Sequence, residues 1–136
     1  MVRPFHIAIP VSNLNKSILF YKDILGCSLG RRSDRWVDFN FYNHQLVIHQ
    51  SDYIENKIYN EVDANDIPIP HFGVILEWNE WHELSNKIKG KLKFIIKPYI
   101  RFKGNKGEQA TMFFLDPDGH ALEFKAFKND SMIFEH

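Results

Sequence analysis

His6 stands in "PFHIAIPV", His71 in "PHFGVILE", His49 near the end of "HQLVIHQ", and Glu123 interrupts "ALEFKAF". Each puts a group that can bind a metal or move a proton into a run of β-branched and aromatic residues that otherwise reads as strand. A carboxylate in such a strand needs a partner, because an unpaired buried charge is costly. One candidate partner is a metal held jointly with the histidines; the other is Lys125, which shares the strand face of Glu123. Imidazole and carboxylate donors suit first-row divalent metals, and a histidine left out of the coordination shell can still serve as acid or base near neutral pH.

The elements that must position these groups follow a repeated order. After the "FHIAIPV" strand, Ser12 or Asn13 is placed to cap a helix whose apolar stripe is Leu14, Ile18, Tyr21 and Leu25, with Gly26 ending it. Extended segments follow at about 28–34, 36–42 and 44–50. In "WVDFNFY", Val37, Phe39 and Phe41 alternate with polar or amphipathic residues, and Asn43 suits a tight hairpin turn. Residues 51–69 read as a polar, irregular connector with a short helix around 53–59. The order then recurs: strand "HFGVILE", helix "WNEWHELSNKIKGK" with Trp81, Leu84 and Ile88 on one face, strand "KFIIKPYIRF", strand "EQATMFFL", a "DPDG" turn and strand "ALEFKAF".

The chain is thus expected to be a single α+β domain over 1–136, built of two tandem βαβββ modules at about 4–50 and 70–128. His6 and His71 hold the same place in their modules, and His49 and Glu123 fall near the ends of corresponding fourth strands.

Composition bounds the function. Of 136 residues, 44% are hydrophobic and 15% aromatic, enough for a real core. Seventeen basic residues balance seventeen acidic ones, so nothing points to nucleic acid. Cys27 is alone and can form no intrachain disulfide. No apolar run has the length of a membrane helix and no export signal is visible, so the expected location is the cytoplasm.

With these residues on the page, the chain resembles the vicinal oxygen chelate superfamily, which includes glyoxalase I, extradiol dioxygenases and antibiotic-resistance proteins. The signatures are "HIAIPVSNLNKSILFYKDILG", "PHFGV" and "FFLDPDGHALEF". The stretches "SDRWVDFNFYNHQLVIHQ" and "RFKGNKGEQATMFFLDPDGHALEFKAF" further resemble small predicted extradiol-type dioxygenases. The resemblance implies a cupped, barrel-like mixed sheet with helices outside, around a divalent metal held by His6, His71 and Glu123.

On that resemblance the expected reaction is ring cleavage of a small aromatic diol by O₂ at Fe(II) or Mn(II), with His49 as acid/base. If His49 is itself a ligand, the resemblance is to a glyoxalase-like lyase or isomerase using Ni(II) or Zn(II). A metal-free resistance-type binding protein is the third reading. Arg101, beside a glycine-containing loop, is placed to grip a substrate carboxylate, and Trp36 to line an aromatic pocket. Phe113 stands where many extradiol enzymes have a substrate-binding tyrosine. Members of the superfamily often form homodimers, and the same is expected here.

Overall fold

The computed structural model describes residues 2–136, and the chain divides into two units. The first runs to Asn56 and takes in Asp116–Asp118; the second comprises Lys57–Leu115 and Gly119–His136. The fold is mixed α+β, with its strands in separate open sheets.

In the first unit, β1 (His6–Val11), β2 (Ser28–Arg32), β3 (Trp36–Phe41) and β4 (His44–Gln50) form a sheet of order β1-β4-β3-β2. β1 runs parallel to β4, whereas the β3–β4 and β2–β3 pairs are antiparallel. Tyr42 and Asn43 both take positive φ, 51° and 70°, making the two-residue hairpin turn that Asn43 foreshadows. Period-two alternation sends Val37, Phe39, Phe41, Leu46 and Ile48 to the buried face.

That face meets helix α1 (Leu14–Ile18), whose N-cap Asn13 accepts a hydrogen bond from the Lys16 amide at 3.0 Å. From Leu19 to Ile24 the helix continues as a π-helical turn. Its wider winding moves the apolar stripe: Ser17, Phe20, Tyr21 and Leu25 are buried, while Ile18 is only half-buried.

The second unit has a sheet of order β7-β11-β10-β9, made of β7 (His71–Phe72), β9 (Phe94–Arg101), β10 (Gln109–Leu115) and β11 (Ala121–Phe127). A short β8 (Ile75–Leu76) also pairs with β11. Helix α2 (Trp78–Ile88) packs behind this sheet through Trp81, Leu84 and Ile88. The buried Trp81 indole donates to the Phe124 carbonyl at 2.8 Å, and the Phe114 and Phe124 rings stack 5.6 Å apart. With Met112, Leu122 and Ala126 these residues bury one sheet face. The other face is left for chemistry.

Two expectations need correction. Residues 51–69 hold no helix at 53–59; instead β5 (Ile58–Val62) and β6 (Asn65–Ile69) form an antiparallel hairpin. Asp63 and Ala64, with φ of 50° and 62°, make its turn. The sequence hides that turn because neither position is glycine, although Asp tolerates the left-handed region. In addition, "HFGVILE" is two short strands rather than one. Gly73 lies between them, and a Cβ there would overlap the Glu123 carbonyl oxygen. Only glycine lets the chain pass this close to β11.

Candidate metal centre

On the open face of the second sheet, the register puts His71 beside Ala121 and Glu123 opposite Phe113. The Nδ1 atom of His71 lies 2.9 Å from the Pro68 carbonyl oxygen. A carbonyl can only accept, so Nδ1 carries the hydrogen and the working atom of the ring is Nε2. Nε2 faces Glu123 Oε2 at 3.2 Å.

The other carboxylate oxygen, Oε1, accepts from the Thr111 hydroxyl at 2.9 Å and lies 3.4 Å from Lys125 Nζ. Thr111 is buried and the Glu123 side chain is only 11% exposed. Phe113, 6% exposed, sets its ring edge-on to His71 with centroids 5.1 Å apart. The imidazole is therefore fixed at its back by a carbonyl and on one side by an aromatic ring.

The first unit holds its histidine in the same manner. His6 Nδ1 lies 2.8 Å from Gln45 Oε1, and the Gln45 amide nitrogen donates to Asp38 Oδ2 at 3.3 Å. Arg31 Nε stands 3.7 Å from that Asp38 oxygen. Because the Gln45 nitrogen is engaged by a carboxylate, its oxygen faces His6 and selects the Nδ1–H form there too. In both units the outer nitrogen is tied to an oxygen and Nε2 is left to act, the usual support for a metal-binding imidazole.

The donor set passes a chemical test for a cation. With Nδ1 of His71 protonated, a neutral ring presents a lone pair to the Glu123 carboxylate, and two acceptors then face each other. A proton or a metal ion between them removes the conflict. Among the described residues, no group of three or more His, Cys, Asp and Glu side chains is gathered to hold a metal. His71 and Glu123 are the candidate ligands brought together, and His6 belongs to the other unit.

Strand register alters the expected symmetry. His6 pairs with Gln45 and His71 with Ala121. Two residues further along each fourth strand come Val47 and Glu123. Val47, not His49, therefore holds the position equivalent to Glu123. His49 lies one same-face step beyond, exposed and opposite Trp36 and Pro10. Trp36 is half-buried on the same face.

Arg101 already grips a carboxylate, but an internal one. Its Nε and Nη2 lie 2.8 and 3.2 Å from the two oxygens of Asp63 at the β5–β6 turn. Tyr99 donates to the same carboxylate at 2.9 Å. Desolvation, then this hydrogen bond, pushes the Tyr99 hydroxyl above its ordinary range.

The expected rivalry over Glu123 resolves into coexistence, since Lys125 and His71 use different oxygens. Sequence reasoning missed Thr111, Gln45 and the Pro68 carbonyl as supports. Gln45 had a signal, because it shares strand parity with His49; the other two depend on pairings between distant segments.

The family profile described as Glyoxalase/Bleomycin resistance protein/Dioxygenase superfamily matches residues 3–124. The crystal structure of a glyoxalase/bleomycin resistance protein/dioxygenase from Alicyclobacillus acidocaldarius superposes with a TM-score of 0.79 at 32% identity, covering 96% of both chains. The glutathione transferase FosA of Serratia marcescens is 27% identical, over 87% of this chain and 76% of that protein. The metallothiol transferase FosB of Staphylococcus haemolyticus is 28% identical, over 87% and 78%.

These relatives correct the expected chemistry. They are thiol and glutathione transferases, so the reading as an extradiol-type dioxygenase using O₂ and iron on an aromatic diol is overturned. A small molecule remains the expected ligand class. Among the described residues no helix is long and apolar enough to cross a membrane.

Proposed function

Because the chain belongs to the Glyoxalase/Bleomycin resistance protein/Dioxygenase superfamily, we propose that it is a metal-dependent transferase that joins a thiol to a small electrophile of the fosfomycin type. The observation that carries this reading is the pairing of His71 Nε2 with Glu123 Oε2 at 3.2 Å, with His71 Nδ1 anchored on Pro68. The names of the FosA and FosB relatives supply the thiol and the metal, and the fosfomycin resistance protein FosX of Listeria monocytogenes, a neighbour in fold with a TM-score of 0.71 at 21% identity, suggests the electrophile.

In this reading His71 and Glu123 would be the second unit's ligands to a divalent metal. Bound there, the metal would supply Lewis-acid polarisation of the electrophile's oxygen. The chain's own residues make that site selective for geometry. Pro68 fixes the His71 ring tautomer, while Thr111 and Lys125 occupy Glu123 Oε1 so that Oε2 faces that ring. Phe113 shields the His71 ring from water on one side.

The reaction balances without an oxidant. Sulfur attacks an electrophilic carbon that bears a C–O bond and forms the S–C bond, and the C–O bond breaks with its electron pair going to oxygen. The proton released by the thiol ends on that oxygen. Lys125, close to Glu123 and half-buried, adds positive charge where the oxygen gains its own.

The test is incubation of purified protein with fosfomycin and glutathione, with and without added Mn(II) and with chelator, followed by mass spectrometry. Metal-dependent appearance of the one-to-one adduct supports the reading. Its absence with glutathione, cysteine and other biological thiols at saturating metal overturns it.

A further inference from the structure

A cavity of about 420 Å³ opens in the second unit, at the far end of the sheet face that carries Glu123. Three cations line it, Arg101, Lys106 and Lys125, against a single acidic side chain, Glu135. Arg101 is gripped by Asp63 and Lys125 is paired with the largely buried Glu123, which leaves Lys106 as the loosely held cation. Lys106 Nζ is 3.7 Å from Glu135, with both side chains more than half exposed, a pairing that solvent makes weak and exchangeable. Phe127 and Ile133 give the same cavity an apolar wall.

Lys125 belongs to both places, since it lines the cavity and its Nζ lies 3.4 Å from Glu123. Along β11, Phe127 is four residues beyond Glu123, about 13 Å at the usual strand rise. A small electrophile held at Glu123 cannot extend that far. A peptide-sized thiol can, with its sulfur at the Glu123 end and its acid groups among the cations.

We infer that this cavity seats the carboxylate-bearing part of the thiol co-substrate, with Lys106 as a specificity-determining contact. The inference deepens the transferase reading and rests on it for the identity of the ligand as a thiol. The positive lining attracts the acid groups, and the apolar wall receives the methylene segments between them. Lys106 contributes to recognition of the thiol and has no part in the chemical step.

The experiment uses S-methylglutathione, whose sulfur is blocked, so binding is read without turnover. Calorimetric titration of the full chain should show one saturable site that weakens as salt is raised. Lys106→Gln, an exposed loop substitution, should weaken it about tenfold, the loss of one charge-assisted contact. In turnover assays the same variant should raise KM for glutathione while leaving KM for the electrophile and the metal content unchanged.

Equal affinity in wild type and Lys106→Gln, or no binding of S-methylglutathione at all, would overturn the inference. So would complete displacement by an equal concentration of inorganic phosphate, which would mark a simple anion site. Failure of this binding test leaves the metal-dependent transfer assay standing on its own, and failure of that assay leaves the binding result readable.

Discussion

Glu123 presents one oxygen to His71, 3.2 Å from Nε2, and the other to Thr111, 2.9 Å from its hydroxyl. This division of labour keeps the carboxylate from rotating, and it makes the supports as important as the ligands. Thr111→Val should lower divalent-metal affinity about 10- to 100-fold, with the fold retained. Competition titration against a chromophoric chelator measures this. Unchanged affinity in this variant would show that the carboxylate lock has no bearing on a metal.

Gly73 is tied to the same carboxylate through the backbone. Since a Cβ at this position would overlap the Glu123 carbonyl oxygen, Gly73→Ala must push β7 and β8 away from β11. The expected cost is at least about 2 kcal/mol of stability, together with weaker metal binding, because His71 and Glu123 lie on the separating strands. Chemical denaturation and metal titration of the variant check the two effects together. A variant as stable as wild type would contradict the close approach.

Alkaline pH should expose a different dependence. Tyr21 is buried and donates to Asp116 at 2.8 Å; burial first, and the Asp116 charge second, raise its hydroxyl well above the ordinary value. A folded-state pKa above the unfolded one gives stability that is complete below about pH 10 and is lost as pH rises further. Tyr42, raised chiefly by burial, acts in the same direction. Urea melts between about pH 8 and 11 should therefore show falling stability, with a shallower fall in Tyr21→Phe. An identical slope in that variant would exclude Tyr21 as a source.

His49→Ala should keep its metal. The strand register gives Val47 the place equivalent to Glu123 and sets His49 opposite Trp36, in an exposed position. Metal analysis of the purified variant decides the point. Loss of metal would bring His49 into the coordination shell and displace the assignment made from register.

Much of this was visible in the residues themselves. Period-two runs gave the strands of both sheets, and the helical spacing of Trp81, Leu84 and Ile88 gave the buried face of α2. The order of elements placed His6 and His71 in corresponding first strands. What failed was finer than element order. Pairing His49 with Glu123 was two residues out, because register depends on which backbone groups pair across the sheet, and spacing along the chain does not fix it.

The β5–β6 hairpin escaped notice because Asp63 and Ala64 make a left-handed turn without glycine. The grip of Arg101 on Asp63 was hidden with it. Reaction class was the least legible. Two histidines and a glutamate suit many divalent-metal chemistries, and the transferase relatives, not the ligand types, moved the reading away from oxygen chemistry.

The most direct measurement is divalent-metal binding to the full chain and to His71→Ala, by Mn(II) titration with circular dichroism confirming the fold of each. The account predicts one ion per wild-type chain and none in the variant at the same concentrations. Stoichiometric binding retained by a folded His71→Ala protein would contradict it.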